Sequence, residues 1–166
     1  MRVAGMVALL VLALTPFAGA QRVPATDLLA VDEFIDAPRA LFGRTRAMVE
    51  RTLGAPVAVQ ARSLPGGRRA PVDPIDELAY PGVVIGVSRG SAGLRRVEIS
   101  EPHWTLPRGL NVGVARRRVE ELLGEPQAVT DVTALYLYSD AYPDTVEFHF
   151  RDGRVRRIEW LYAPVD

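Results

Sequence analysis

Apolar residues near the start of the chain fall at helical spacing. In the segment 27–42 they lie at Leu28, Leu29, Val31, Phe34 and Ile35. This pattern predicts a helix, and Pro38 is expected to interrupt it because proline lacks the backbone N–H that a helix interior needs.

Two shorter amphipathic segments also predict helices. The first has Met48, Val49, Thr52 and Leu53 on one stripe, and the second has Ala115, Val119, Leu122 and Leu123. Each ends at a glycine followed two residues later by a proline, at Gly54 and Pro56 and at Gly124 and Pro126. Glycine suits the left-handed conformation that closes a helix, and proline prevents continuation.

Strict alternation of apolar and polar residues predicts strands after each short helix. The later strands are marked by Leu135 and Leu137, by Val146, Phe148 and Phe150, and by Ile158, Trp160 and Tyr162. The earlier half has Val83, Ile85 and Val87, and then Val97 and Ile99. The strands come in runs without helices between them, which favours antiparallel meanders over a parallel sheet.

The helix segments are two copies of one sequence. Residues 43–59 (GRTRAMVERTLGAPVAV) and 113–129 (GVARRRVEELLGEPQAV) align without a gap, with nine identical pairs. A second, shorter repeated segment follows each copy: LRRVE at 94–98 is similar to VRRIE at 155–159. Internal repeats take priority in choosing a fold. We therefore expect an α+β protein of two tandem units, 21–101 and 102–166, each a short helical start packed on an antiparallel β-meander.

One segment breaks this symmetry. Residues 61–74 (ARSLPGGRRAPVDP) have no counterpart in the second copy. A loop of this length and composition is either a tolerated flexible insertion or a functional probe.

The first twenty residues predict a secretory signal peptide. Arg2 precedes an apolar run at 3–14 that is too short to span a bilayer, and Ala18-Gly19-Ala20 provides small residues for cleavage near Ala20-Gln21. The alternative is an N-terminal membrane anchor. No cysteine follows the cleavage point, so no lipid anchor is expected. The protein is expected to be periplasmic or secreted.

Composition excludes several classes of function. The chain has no cysteine, which excludes disulfides, thiol catalysis and thiolate metal sites. All 20 basic residues are arginine and they balance 20 acidic residues, whereas a nucleic-acid binder is expected to be basic. We expect no nucleic-acid partner and no transmembrane anchor.

The alternation also predicts an exposed sheet face. With Leu135, Leu137 and the other strand apolars turned toward the helices, the opposite face carries Tyr136, Tyr138, Glu147, His149, Arg157, Glu159, Arg96 and Glu98. Tyrosine and arginine are enriched at protein interfaces, so this face is the candidate protein-binding site. The alternative is a solvated face with cross-strand charge pairs.

Residues for catalysis are few. The two histidines, His103 and His149, lie in no metal-binding spacing, and no Gly-x-Ser-x-Gly elbow is present. We expect no enzyme, no metal site and no cofactor; a hydrolase is the most distant alternative.

A different class of function is a small-molecule or cell-wall-ligand binder with a groove between the units formed by His103, Trp104 and Trp160. The alternative, which we prefer for Trp104, is that its side chain packs the linker against one unit.

The repeated motifs resemble a known superfamily. Its pattern is Gly-x5-Val-Glu-x2-Leu-Gly-x-Pro, then strands with Phe-x-Asp-Gly-x-Val-x2-Ile, found here at 113–126 and 150–158. In the first unit the Asp-Gly turn is replaced by Gly90-Ser91-Ala92-Gly93. This looks like the tandem-repeat superfamily shared by the β-lactamase inhibitor proteins and the small outer-membrane lipoproteins of the β-barrel assembly machine. The resemblance implies an exported, non-catalytic module that binds an envelope or secreted protein, as an inhibitor or an assembly accessory.

Overall fold

A computed structural model describes residues 23–66, 72–90, 93–139 and 142–164. Its helices are α1 (Leu28–Phe42), α2 (Arg46–Leu53) and α3 (Arg116–Leu123), with a short 3-10 turn at Pro107–Gly109. Its strands are β1 (Ala58–Pro65), β2 (Val72–Tyr80), β3 (Val83–Ser88), β4 (Leu94–Ile99), β5 (Ala128–Val129), β6 (Thr133–Ser139), β7 (Tyr142–Arg151) and β8 (Arg154–Leu161). The predicted signal peptide lies outside the described residues. No helix in the described ranges is both long and apolar enough to cross a membrane.

The strands form one antiparallel sheet, so the predicted fold class of two tandem units, each with its own meander, is wrong. The strand order is β1-β2-β3-β4-β8-β7-β6-β5. β4 and β8 pair directly, from Arg96↔Leu161 to Ile99↔Ile158. Separate meanders would have left both strands as edges with unpaired backbone groups, and their pairing removes two edges at once. The sequence repeat therefore appears as a strand order mirrored about the β4–β8 pair. The boundary at residue 101 stays a prediction.

The three helices pack on one face of this sheet and bury one core. The predicted inward positions Val146, Phe148, Phe150, Ile158 and Trp160 are all buried, which confirms their assignment. Phe34 of α1 stacks on Phe148 and on Trp160, with ring centroids 5.3 and 5.4 Å apart. A helix that is apolar on one stripe must bury that stripe, and the sheet provides the surface.

Helix α1 continues through Pro38, so the predicted interruption is wrong. Pro38 has no N–H to give to the carbonyl of Phe34, four residues earlier, and that carbonyl would otherwise be buried without a donor. The indole Nε1–H of Trp160 donates to it at 2.9 Å. At the next residue, the Tyr162 hydroxyl donates to the carbonyl of Ile35, also at 2.9 Å. Donors from β8 and the residue after it thus stabilise the helix where proline would break it.

The two repeated helices end in the same way. Gly54 and Gly124 have φ of 82° and 79°, a conformation that side chains other than glycine rarely adopt. Tyr80 of β2 donates its hydroxyl to the Gly54 carbonyl at 3.2 Å, and Tyr136 of β6 donates to the Gly124 carbonyl at 3.1 Å. The last carbonyls of a helix need such external donors.

The segment 61–74 is largely strand, which corrects its prediction as a loop. Residues 61–65 complete β1 and residues 72–74 begin β2, paired from Ala61↔Asp76 to Pro65↔Val72. Only residues 67–71 within it lie outside the description. Because Arg62↔Ile75 and Leu64↔Asp73 keep the alternation, the segment extends the hairpin and carries side chains to the open side of the sheet.

The contact of Trp160 with Phe34 predicts a thermodynamic coupling to Pro38. Trp160→Phe removes the donor and leaves the Phe34 carbonyl buried and unpaired, at a cost of about 1–3 kcal/mol beyond the loss of ring volume. In a Pro38→Ala background the restored backbone N–H supplies a donor. The same substitution should then cost at least about 1 kcal/mol less, measured by urea unfolding of all four proteins. Additive effects would contradict the role assigned to Trp160.

The buried tyrosines predict a loss of stability at alkaline pH. Burial raises the pKa of the Tyr136 and Tyr162 hydroxyls above the ordinary value. The unfolded chain therefore releases these protons first, and stability present below about pH 10 should fall as the pH rises further. The chain has no lysine to titrate in this range. Urea unfolding between pH 9 and 11 should show a shallower fall for Tyr136→Phe than for the parent chain, and equal slopes would refute the assignment.

Candidate functional site

We call the face of the sheet opposite the helices the open face. It carries a network of half-buried charged side chains. It collects six of the eight predicted protein-binding residues, which are Arg96, Glu98, Glu147, His149, Arg157 and Glu159. They lie on three neighbouring strands, β4, β8 and β7, so the pairing of β4 with β8 brings them together.

Arg96 is the centre of this network. Its Nε donates to Glu159 Oε1 at 2.6 Å, its Nη1 donates to Glu77 Oε1 at 3.0 Å, and its Nη2 donates to Glu98. Burial disfavours its charge, but the hydrogen bond and charge of Glu159, with the charges of Glu98 and Glu77, outweigh burial and hold the pKa of Arg96 above its usual value. A half-buried cation in contact with three carboxylates is fixed in position.

A second group surrounds His149. Its Nε2 lies 3.5 Å from Glu147 Oε2 and 3.6 Å from Glu159 Oε2. Arg157 Nη2 lies 3.4 and 3.3 Å from the two ring nitrogens. Arg157 also reaches Glu98 at 3.5 Å, which connects this group to Arg96.

A cavity of about 380 Å³ opens between the β1–β2 hairpin and these strands. It is lined by Gln60, Arg62, Glu77, Ala79, Val84, Arg96, Glu98 and Arg157. Arg62 pairs with Glu77 at 2.8 Å. The first hairpin thus contributes Arg62 and Glu77, which the sequence analysis did not include. The alternation of Asp73, Ile75, Glu77 and Ala79 was the available signal, obscured by the interpretation of this region as a loop.

A buried ion pair fixes the hairpin against the end of β8. Arg95 pairs with Asp73, donates from Nε to the Tyr162 carbonyl at 2.8 Å and from Nη2 to the Pro65 carbonyl at 3.1 Å. Asp73 also accepts from Ser88 Oγ at 2.7 Å. One arginine therefore joins three separate segments, which holds the cavity's outer wall in place.

The placement of Tyr136 and Tyr138 on the open face is wrong. Tyr136 is fully buried among the core aromatics, and Tyr138 is 38% exposed beside α1, where it borders Asp36 and Arg39. Leu135 and Leu137 lie on the open face instead, since Leu135 pairs with Glu147. Both residue sets of β6 are apolar, so alternation alone does not say which set faces inward. The hydroxyl of Tyr136 decides it by pairing with the Gly124 carbonyl.

The predicted groove of His103, Trp104 and Trp160 is not formed. Trp160 is fully buried with its Nε1 paired to Phe34. Trp104 packs edge-on against Phe42 with ring centroids 5.0 Å apart, and His103 lies against Trp104 at 4.5 Å. Trp104 therefore packs the linker onto the core, and Trp160 does not line a groove with it.

Comparison with known proteins shows similarity of fold. No family model and no curated protein sequence matches the chain. A cysteine-rich secretory protein from Staphylococcus aureus matches with a TM-score of 0.52 and 11% identity, over 85% of this chain and 47% of that one. An extracellular protein with an SCP domain from Bacillus anthracis gives a TM-score of 0.48 at 11% identity, over 91% of this chain and 50% of that one. The chain thus spans about half the length of each.

A candidate β-lactamase inhibitor protein from Streptococcus mutans also matches, with a TM-score of 0.27 and 16% identity, over 70% of this chain and 81% of that one. Such a score is too low to establish a shared fold. The resemblance to the inhibitor and lipoprotein superfamily therefore stays a prediction, whereas the overall fold is similar to part of the staphylococcal secretory protein.

Removal of Arg96 tests how far the open face depends on it. Arg96→Ala leaves Glu77, Glu98 and Glu159 without their shared cation and should lower the unfolding free energy by about 3 kcal/mol at pH 7. Arg117→Ala is the control, because Arg117 pairs with Glu121 at an exposed position and should cost under about 1 kcal/mol. Equal costs would contradict a central role for Arg96.

Proposed function

We propose that the protein is an exported, non-catalytic module that binds another protein of the envelope or extracellular space through the open face. The observation that carries this proposal is the contrast between the two sides of the sheet. The helix side is packed by a continuous core, whereas the open side presents half-buried, mutually fixed charged side chains around a cavity of about 380 Å³.

Apolar residues accompany the charges on this face. Leu135 and Leu137 lie on β6, and Leu161 of β8 is 41% exposed beside Thr145. A patch of apolar side chains next to ordered arginines is typical of protein interfaces, in which a few buried contacts give affinity and the charges give specificity.

The charged side chains of the open face are already held in position, which favours the docking of a protein partner. Arg96 and Arg62 are already held by carboxylates, so little side-chain freedom is lost when a partner docks. The polar lining of the cavity and its open shape favour a surface loop or strand of a partner over a small apolar ligand.

Export is proposed from the sequence of residues 1–20, whose basic start, apolar run and small residues at the cleavage point are typical of a signal peptide. A non-catalytic role is proposed because the sequence offers few candidate catalytic residues.

The test is capture of a partner from the envelope fraction of the source organism by crosslinking and mass spectrometry, followed by affinity measurement with purified partner. Leu161→Asp and Arg157→Ala should each weaken binding at least about tenfold, because both side chains lie on the open face. Leu29→Asp on the helix side is the matched control, since Leu29 is 79% exposed, and it should leave binding unchanged.

The interface would lie elsewhere if Leu29→Asp weakened partner binding as much as the open-face variants do. The same would follow if both open-face variants still bound the partner normally. Absence of any saturable partner would overturn the proposal. Circular dichroism of each variant separates a binding defect from misfolding.

A further inference from the structure

Glu147, His149 and Glu159 converge on one point of the open face. Each offers one ligand atom, and the three atoms lie within 4.8 Å of one another. Glu147 and His149 lie two residues apart on β7, so their side chains share a face, and Glu159 of β8 is the direct cross-strand partner of Glu147. The spacing of these three residues along the sequence does not match a metal-binding motif, because Glu159 comes from the neighbouring strand.

The spacing of these atoms suits a shared cation better than hydrogen bonds. His149 Nε2 stands 3.5 Å from Glu147 Oε2 and 3.6 Å from Glu159 Oε2, longer than an ordinary N–H···O bond. Bonds of about 2.1 Å in tetrahedral zinc coordination place neighbouring ligand atoms about 3.4 Å apart. The distance from His149 Nε2 to each of the two carboxylate oxygens is therefore close to that between two ligand atoms of one zinc ion.

The charge pattern of the strands points the same way. Glu98, Glu159 and Glu147 face one another in a row across β4, β8 and β7. Like charges directly opposite on neighbouring strands are destabilising unless a cation lies between them. Arg96 contacts Glu98 and Glu159, and Arg157 reaches both, but Glu147 has only His149 as a partner among the described contacts.

One ligand of the set is already oriented. Arg96 Nε holds Glu159 by Oε1 at 2.6 Å, which leaves Oε2 directed at His149. Partners that hold the second oxygen of a carboxylate in this way are typical of metal sites. Arg157 lies over the imidazole, and its side chain is 38% exposed, so it has solvent into which it can withdraw.

We propose that Glu147, His149 and Glu159 bind a divalent transition-metal ion of the zinc class. Two carboxylates balance the charge of such an ion. The imidazole nitrogen of His149 favours a zinc-class ion over Ca²⁺ and Mg²⁺, which prefer oxygen ligands alone. Three protein ligands leave a coordination position on the open side. This departs from the expectation of no metal site, and it does not rest on the proposed protein-binding function.

The test uses Zn²⁺ alone with the metal-stripped full chain. Because the chain has two histidines, imidazole NMR resolves the site directly: Zn²⁺ should shift the resonances of His149 and leave those of His103 in place. His103 is a natural control, since it also lies beside a carboxylate, with Nδ1 3.3 Å from Glu101 Oε2. Titration calorimetry should give one site per chain.

Variants then assign the ligands. His149→Gln and Glu147→Gln should each weaken Zn²⁺ binding at least about tenfold, and His103→Gln should leave it within about twofold. A shift at His103 in place of His149, equal losses in both histidine variants, or no saturable binding below about 1 mM would overturn the proposal. The NMR readout needs no variant, so a misfolded variant does not obscure the answer.

Discussion

The contact between Trp160 and the carbonyl of Phe34 is the constraint on which the fold depends. Pro38 leaves that carbonyl without an intrahelical donor, and the indole N–H of β8 supplies one at 2.9 Å. The rings of Phe34 and Trp160 also stack, so this residue pair joins α1 to β8, one of the two middle strands of the sheet. A buried carbonyl that lost this donor would cost more than the bond contributes, which makes the packing specific as well as tight.

The open face follows from that attachment. Once α1 covers one side of β8 and β7, the alternate side chains of these strands must point the other way. They are charged, and β4 brings Arg96 among them. The network is therefore a product of strand pairing between the two halves of the chain, and neither half alone contains both Arg96 and Glu159. The ion pair of Arg95 with Asp73 then sets the position of the first hairpin beside it.

Much of the fold could be predicted from the sequence, and the misses have physical causes. The helix exits at Gly54 and Gly124 and the inward set Val146, Phe148 and Phe150 followed from local pattern. Whether β4 and β8 end separate sheets or pair with each other depends on contacts between residues far apart in sequence, such as Arg96 and Leu161, and a local periodicity carries no information on such contacts. In β6 both faces carry apolar residues, so Tyr136 was assigned outward. Six open-face residues were predicted correctly, but Arg62 and Glu77 needed the hairpin pairing.

The mirrored strand order has a consequence for how the molecule is made. Among the described strands, β8 comes latest in sequence and lies near the centre of the sheet, between β4 and β7. During synthesis, β4 and β7 each keep an unpaired hydrogen-bonding edge until β8 has been made. Non-local pairing of this kind is slow and exposes aggregation-prone edges meanwhile. A chain without residues 154–161 would therefore leave β4 and β7 each with an unpaired edge at the middle of the sheet.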